Sequence, residues 1–218
     1  MAATEGKALR TLLLVGLIAG GAAALVTGTY EFSKDRITAN RQARLLQSLR
    51  DVLDPAGDGL ALNPTRIEAS DPELLGTDDP VEVFVVRDEG RPRAAVFSAV
   101  APDGYHAPIH LLIGVSADGI VSGIRVVDHR ETPGLGDVIE ADKSDWILQF
   151  DGKSLVSPEA SQWAVDDDGG SFDSITGATV TARAVVGGVG NALAFFESSK
   201  VELFARASRA ASEEAANE

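Results

Sequence analysis

The chain has 218 residues, 19 Lys and Arg against 33 Asp and Glu, a formal charge of −14 and no cysteine. That acidic balance excludes nucleic acid as a partner class, because phosphate backbones are bound by clustered cations. The missing thiols exclude thiolate metal sites, iron–sulfur ligation through this chain and a disulfide framework, and the length leaves room for an anchor and one globular domain.

Residues 1–10 form a short amino-terminal tail. Between Arg10 and Glu31 lie twenty consecutive uncharged residues, 11–30. As a helix they would run roughly 30 Å, the thickness of a bilayer's hydrocarbon core. Tyr30 falls where an amphipathic ring belongs in the interface, and Gly16, Gly20, Gly21 and Ala22 to Ala24 offer a face for close helix contact. A cleaved secretory signal is the rival reading, with Lys7 and Arg10 as its basic region and Ala22-Ala23-Ala24 as its cleavage site. The uninterrupted run to Tyr30 and the helix-forming stretch beyond it favour a retained span. Lys34, Arg36, Arg41 and Arg44 outnumber the basic residues before the span, so charge counting favours a domain that stays inside; long domains translocate regardless of that count.

A stalk helix is predicted over 31–53, with Ile37, Leu45, Leu46, Leu49, Val52 and Leu53 at three- and four-residue steps and Asp54-Pro55-Ala56-Gly57 ending it. Segment 54–80, with Pro55, Pro64, Pro72 and Pro80, reads as mostly loop, so 31–80 is stalk and linker. Runs rich in β-branched and apolar residues at 81–86, 94–100, 109–116 and 120–128, with Asp118-Gly119 between the last two, predict an antiparallel sheet. Residues 131–137 form a Gly/Pro loop, and the stretch to Phe150 holds a short helix that packs Trp146 and Phe150. Asp166, Asp167 and Asp168 read as a solvated turn. From Thr179 the pattern is helical, with Val185, Val189, Leu193 and Phe196 near one face, and the glycines at 187, 188 and 190 read as close-packing positions. A polar helix or frayed tail closes the chain at 200–218. The expected fold is α+β: one N-terminal transmembrane helix and stalk helix, then a domain over 81–199 with a central antiparallel sheet flanked by helices.

His106, His110 and His129 are too irregularly spaced to compel a metal site. No GxSxG, P-loop or Rossmann glycine pattern occurs, so hydrolase and nucleotide-hydrolysis chemistry lack support, and no catalytic residue and no metal ligand is assigned. The informative stretch is DSITGAT, Asp173 to Thr179. It places a Thr hydroxyl at or just before a helix start, where unpaired N–H groups and the positive end of the helix dipole favour a phosphate. Thr is also a good N-cap, so local physics alone explains the pattern without a ligand.

DSITGAT resembles the flavinylation motif Dxx(S/T)GA(T/S) of the FMN-binding domain family, in which a transferase esterifies the last hydroxyl residue with the phosphate of FMN. A chance match is roughly one in 10⁵ per position at average residue usage. HRETPGLGD at 129–137, with KSDWILQF at 143–150, resembles a segment of the G subunits of Rnf electron-transport complexes, and Gly104-Tyr105 matches their GY stretch. Ala107 stands where those relatives usually carry a further glycine. The resemblance covers residues 10 to about 197 and implies covalent FMN on Thr179, with Asp173 and Thr176 orienting the acceptor and Gly177 and Ala178 leaving room for the phosphate and the transferase.

Given a flavin there, Glu131, Thr132, Pro133, Gly134, Leu135 and Gly136 are expected to border the isoalloxazine ring, since the glycines permit a tight turn and Leu135 offers an apolar contact. The resemblance further implies an electron carrier in an ion-translocating complex working between ferredoxin and NAD. Its partners are then the other membrane and peripheral subunits, plus a flavin transferase during maturation. It also implies a single-pass protein of the bacterial inner membrane with a periplasmic domain. The C subunit of the sodium-translocating NADH:quinone reductase shares both motifs but usually has a longer domain. Two other readings are an extracytoplasmic flavoprotein donating to a reductase or cytochrome, and a membrane-anchored interaction module without flavin.

Overall fold

A computed structural model describes residue 47 and residues 49–53, 64–88 and 90–216. The expected membrane helix at 11–30 and the stalk as far as residue 46 lie outside the described residues; 49–53, the end of the predicted stalk, is helical.

Five strands form one antiparallel sheet in sequence order: β1 (Thr65–Ala69), β2 (Val81–Asp88), β3 (Arg91–Ala101), β4 (Ile109–Ser116) and β5 (Val121–Asp128). Four coincide with the predicted runs to within three residues at either end. The fifth, β1, corrects the reading of 54–80 as loop: Ile67 and Ala69 alternate with Arg66 and Glu68, too few apolar residues to signal a strand alone. Pairing with β2, Ile67 opposite Val83, is what makes it one. The same segment also holds a helical turn, α1 (Pro72–Leu75), capped by Asp71, whose carboxylate accepts from the Leu74 N–H at 3.0 Å, and begun by Pro72 at a position that needs no donor.

Antiparallel register stacks Ile67, Val83, Phe97, Ile113 and Ile124 as successive cross-strand partners, all buried. This face meets α2 (Thr179–Ala216), whose Val185, Val189, Leu193 and Phe196 are buried as the periodicity predicts. Phe97 stacks on Phe196 at 6.2 Å and meets Phe195 edge-on at 5.5 Å. Removing such a ring from a packed core costs about 3–5 kcal/mol. Gly188 lets the helix close on β3, since a Cβ there would lie 2.8 Å from that of Ala101.

The neighbouring cross-strand row, Phe84, Val96, Gly114 and Gly123, belongs to the opposite face. Its two glycines are direct partners and form a notch for the 49–53 helical segment: a Cβ on Gly114 would come within 2.5 Å of the Val52 Cγ1, and one on Gly123 within 2.8 Å of the Val52 carbonyl oxygen. Val52 and Leu49 are fully buried, so the end of the predicted stalk is part of the domain.

Of the two readings of 200–218, polar helix or frayed tail, the described residues are helical. Helix α2 runs unbroken to Ala216, with Leu203 and Ala207 buried. Arg206 donates to the Glu68 carbonyl at 2.7 Å and Arg87 to the Ala207 carbonyl, which fastens the last turns to β1 and β2. By length and composition Thr179–Glu213 could span a bilayer, but most of its apolar window is buried in the domain, and its contacts are those of a core helix.

Candidate functional site

Antiparallel register brings the end of β3, the start of β4 and the end of β5 to one end of the sheet, so segments 102–108 and 129–137 emerge side by side. The N-terminus of α2 completes a cleft of about 440 Å³ lined by Tyr105, Glu131, Thr132, Leu135, Gly136 and residues 177–181. Its volume lies in the range of small-molecule sites, roughly 300–1,000 Å³. Tyr105, Leu135 and Val180 are exposed apolar side chains at its mouth.

Both loops reach the cleft through the same kind of turn. In Thr132-Pro133-Gly134-Leu135 the Leu135 N–H returns to the Thr132 carbonyl at 3.1 Å and Gly134 has φ +76°. In Ile175-Thr176-Gly177-Ala178 the Ala178 N–H returns to the Ile175 carbonyl at 2.9 Å and Gly177 has φ +83°. A third turn position with positive φ is the type II pattern, which favours glycine, and Pro133 pre-sets the second position of the first turn. Gly177 therefore answers a backbone need beyond the room it was expected to leave. The turns meet, since a Cβ on Gly177 would touch the Leu135 Cδ2 at 3.4 Å.

The second turn delivers Thr179 as the first residue of α2, with the preceding Ala178 carbonyl accepting from the Ala182 N–H at 3.1 Å. Ala178 thus holds the capping position, and Thr179 stands at the helix start as expected but as its first residue, so N-capping does not explain it. Among the described residues the Thr179 hydroxyl has no hydrogen-bond partner. It stands half-buried in the cleft beside first-turn N–H groups that have no intrahelical acceptor.

A buried carboxylate joins the parts. Glu131 is 4% exposed; its Oε1 accepts from the His106 N–H at 3.1 Å, and its Oε2 accepts from the Thr181 hydroxyl, which is 1% exposed. One side chain thus links the Tyr105 segment, the 131–137 loop and α2. Gly136 makes this possible by close approach, because a Cβ there would come within 2.8 Å of the Glu131 Cβ.

Charges brace the turn from outside. Asp137 accepts from the Gly134 N–H at 2.7 Å and from the Lys143 ammonium at 2.8 Å, and Lys143 also donates to Glu140 at 2.7 Å. The ammonium holds both carboxyls below their ordinary range, with His129 adding to the effect at Glu140, and the two carboxylates raise Lys143 in return. His129 accepts from the Glu131 N–H at Nδ1, so its Nε2 donates to Glu140 at 2.9 Å. This histidine is a hydrogen-bonded structural residue, and among the described residues no cluster of three His, Asp or Glu could hold a metal.

Of the residues singled out in the sequence, Glu131, Thr132, Leu135, Gly136, Gly177, Ala178 and Thr179 line the cleft. Pro133 and Gly134 build the turn behind it. Asp173 and Thr176 are exposed and do not line it. Sequence reasoning missed Val180 and Thr181, and left Tyr105 as a mark of resemblance only. Thr181 follows Thr179 by two residues, but its bond to Glu131, fifty positions away, leaves no local signal.

The shape and donors fit a flavin phosphate: a hydroxyl at a helix start, apolar side chains at the mouth and a turn without a Cβ between them. Residues 104–194 match the family model described as the FMN-binding domain. The chain is 45% identical over 94% of its length to the G subunit of the ion-translocating oxidoreductase complex of Pseudomonas aeruginosa, covering 95% of that protein. It is 42% identical over 88% of its length to the protein of the same name from Pseudoalteromonas atlantica, covering 89% of it. The corresponding figures for Shewanella loihica are 39%, 88% and 91%. With matches of this identity along nearly the whole chain and the cleft just described inside its FMN-binding domain, the protein belongs to the family of G subunits of ion-translocating oxidoreductase complexes.

Proposed function

We propose that this protein carries electrons on an FMN esterified to Thr179 and takes part in electron transfer between ferredoxin and NAD within its complex. The observation that carries the reading is the placement of Thr179: a hydroxyl at the first residue of α2, inside the cleft formed by Tyr105, the 131–136 loop and 177–181. During maturation the Thr179 Oγ1 attacks phosphorus in the pyrophosphate of a flavin dinucleotide. An Oγ1–P bond forms, the bridging P–O bond breaks, the nucleoside monophosphate leaves and the hydroxyl proton passes to a base of the transferase. The dinucleotide is the reasonable donor because direct condensation with FMN would have to expel water.

When bound, FMN supplies one- and two-electron redox chemistry, and the protein's part is to position and enclose it. First-turn N–H groups of α2 would hold the phosphate on Thr179. Leu135, Tyr105 and Val180 offer apolar contact to the ring, and Glu131 fixes the spacing between the two loops without reaching solvent. No side chain is required as a catalyst. The remaining partners are the other membrane and peripheral subunits. The proposed setting is the bacterial inner membrane, crossed once by 11–30, with the domain in the periplasm, where a covalent tether keeps a cofactor that could not readily be replaced.

The test is the mass of the protein from cells with and without a flavin transferase. One FMN should be gained only with the enzyme, and Thr179→Val should remove both the added mass and the flavin fluorescence on a denaturing gel. Fluorescence that persists in Thr179→Val would refute the assignment.

A further inference from the structure

We propose that Trp146, Gln149 and Asp166 are positioning residues for flavin attachment: they clamp the backbone at the start of the Asp173–Thr179 segment so that Thr179 is delivered to the transferase in one fixed geometry. The proposal rests on Thr179 being the acceptor.

Two consecutive residues of that segment have three backbone groups held by side chains from elsewhere. The Trp146 indole N–H donates to the Asp173 carbonyl at 2.8 Å, and the Gln149 Oε1 accepts from the Asp173 N–H at 2.7 Å. The Asp166 Oδ1 accepts from the Ser174 N–H at 2.8 Å. The side chains come from two short 3₁₀ segments, Trp146–Phe150 and Asp166–Asp168.

Both segments are fixed independently of these bonds. Phe150 stacks on Phe172 at 4.8 Å and meets Trp146 edge-on at 5.7 Å, while Trp163 packs on Phe172 at 4.6 Å. Asp168 takes two bonds from Arg183, at 2.6 and 2.7 Å, which ties the second segment to α2 one helical turn beyond Thr179. The clamp is therefore a fixed frame around Asp173 and Ser174, at the entry to the turn that leads to Thr179.

All three clamp bonds lie at the exposed surface, where water could satisfy the same backbone groups. Their net contribution to folding is accordingly small. Their effect on order is not, because a loop that is already fixed does not have to be ordered when the transferase binds, and a misplaced acceptor loses rate steeply. The Asp173 side chain stays exposed while its backbone is held, and Thr176, three residues on in the Ile175–Ala178 turn, is exposed as well. The segment thus presents a fixed main chain with free polar handles, as a protein substrate should to a modifying enzyme.

The experiment uses the full chain in detergent, produced without transferase and then incubated with purified transferase and a flavin dinucleotide. The initial rate of flavin incorporation is read by intact mass and in-gel fluorescence, beside thermal denaturation. Trp146→Phe keeps the ring and loses the donor, Gln149→Met keeps the shape and loses the acceptor, and Asp166→Leu loses the acceptor. Each should lower kcat/KM for transfer about tenfold, the rate equivalent of one lost hydrogen bond, with little change in melting temperature. Asp166→Asn, which retains an acceptor oxygen, should stay within about twofold of wild type. Wild-type rates in all three clamp variants overturn the proposal, as does a fall that only tracks the loss of folded protein. Labelling of wild type but not of Thr179→Val would leave the acceptor assignment standing in those cases, whereas a wild type that takes up no flavin defeats both.

Discussion

The two turns that form the cleft share a backbone design and differ in what holds them. Thr132–Leu135 and Ile175–Ala178 each close on an N–H to carbonyl bond and each place a glycine at positive φ. The first is braced by charge, through Asp137, Glu140 and Lys143. The segment entering the second, Asp173-Ser174, is held by an indole and an amide on Asp173 and by one carboxylate, Asp166, on the Ser174 N–H. The 132–135 turn should therefore respond to pH and salt through Lys143, and the entry to the 175–178 turn should respond to loss of the Trp146 and Gln149 bonds as well as to its own charges, Asp166 and the Asp168–Arg183 pair. The same backbone turn can thus be held in place by different chemistry, an ammonium shared between carboxylates in one case and mainly neutral donors and acceptors at its entry in the other.

The strongest way to break this comparison is to remove the group that joins the two sides. Glu131→Ala leaves the Thr181 hydroxyl and the His106 N–H without their acceptor in an enclosed site, and should cost about 3 kcal/mol in denaturant unfolding. Glu131→Gln, which can still accept, should cost less. A stability equal to wild type in Glu131→Ala would show that the loops are held separately.

A smaller effect is expected from Gly134→Ala, which forces a side chain into positive φ and should cost about 1 kcal/mol by the same measurement. Leu135→Ala should shift the reduction potential or absorbance of the bound flavin without removing it, and an unchanged spectrum and potential would argue against ring contact.

The mildest expected change is electrostatic. Asp137 and Glu140 have lowered folded-state pKa values, so their contribution is present above the ordinary carboxylate range and is lost as pH falls through the lowered values. Lys143 is raised, so its contribution is present below the ordinary lysine range and is lost at strongly alkaline pH. Lys143→Met should be less stable than wild type near neutrality and converge with it in acid, as seen in parallel pH–stability profiles. A constant gap across pH would mean that Lys143 acts through packing.

Much of this architecture is legible in the residues. Strong β-branched runs mark four strands, DSITGAT marks the start of α2, and the three- and four-residue steps from Val185 to Phe196 mark its buried face. The misses have physical reasons. Strand β1 has only Ile67 and Ala69 to signal it and exists through its pairing with β2. The last turns of α2 leave helix and frayed tail as alternatives in the sequence, and Arg206 and Arg87, which fasten them to the sheet across more than a hundred residues, decide for helix. Within the site, the glycines expected to permit a tight turn or to leave room have separate tasks: Gly134 and Gly177 supply positive φ, and Gly136 supplies a close approach to Glu131.

By itself the sequence determined the local chemistry of this protein: a hydroxyl at a helix start, a Pro-Gly turn, an apolar helix face and the β-branched runs of four strands. Those depend on φ preferences, hydrophobic period and capping, all of which act over a few residues. Only the tertiary structure decided that Glu131 would be buried between His106 and Thr181, that Trp146 and Gln149 would grip Asp173, and that Val52 would lie in the notch of Gly114 and Gly123. Each of those contacts joins segments more than twenty positions apart, and their geometry is set by the register of the sheet and the packing of α2 upon it.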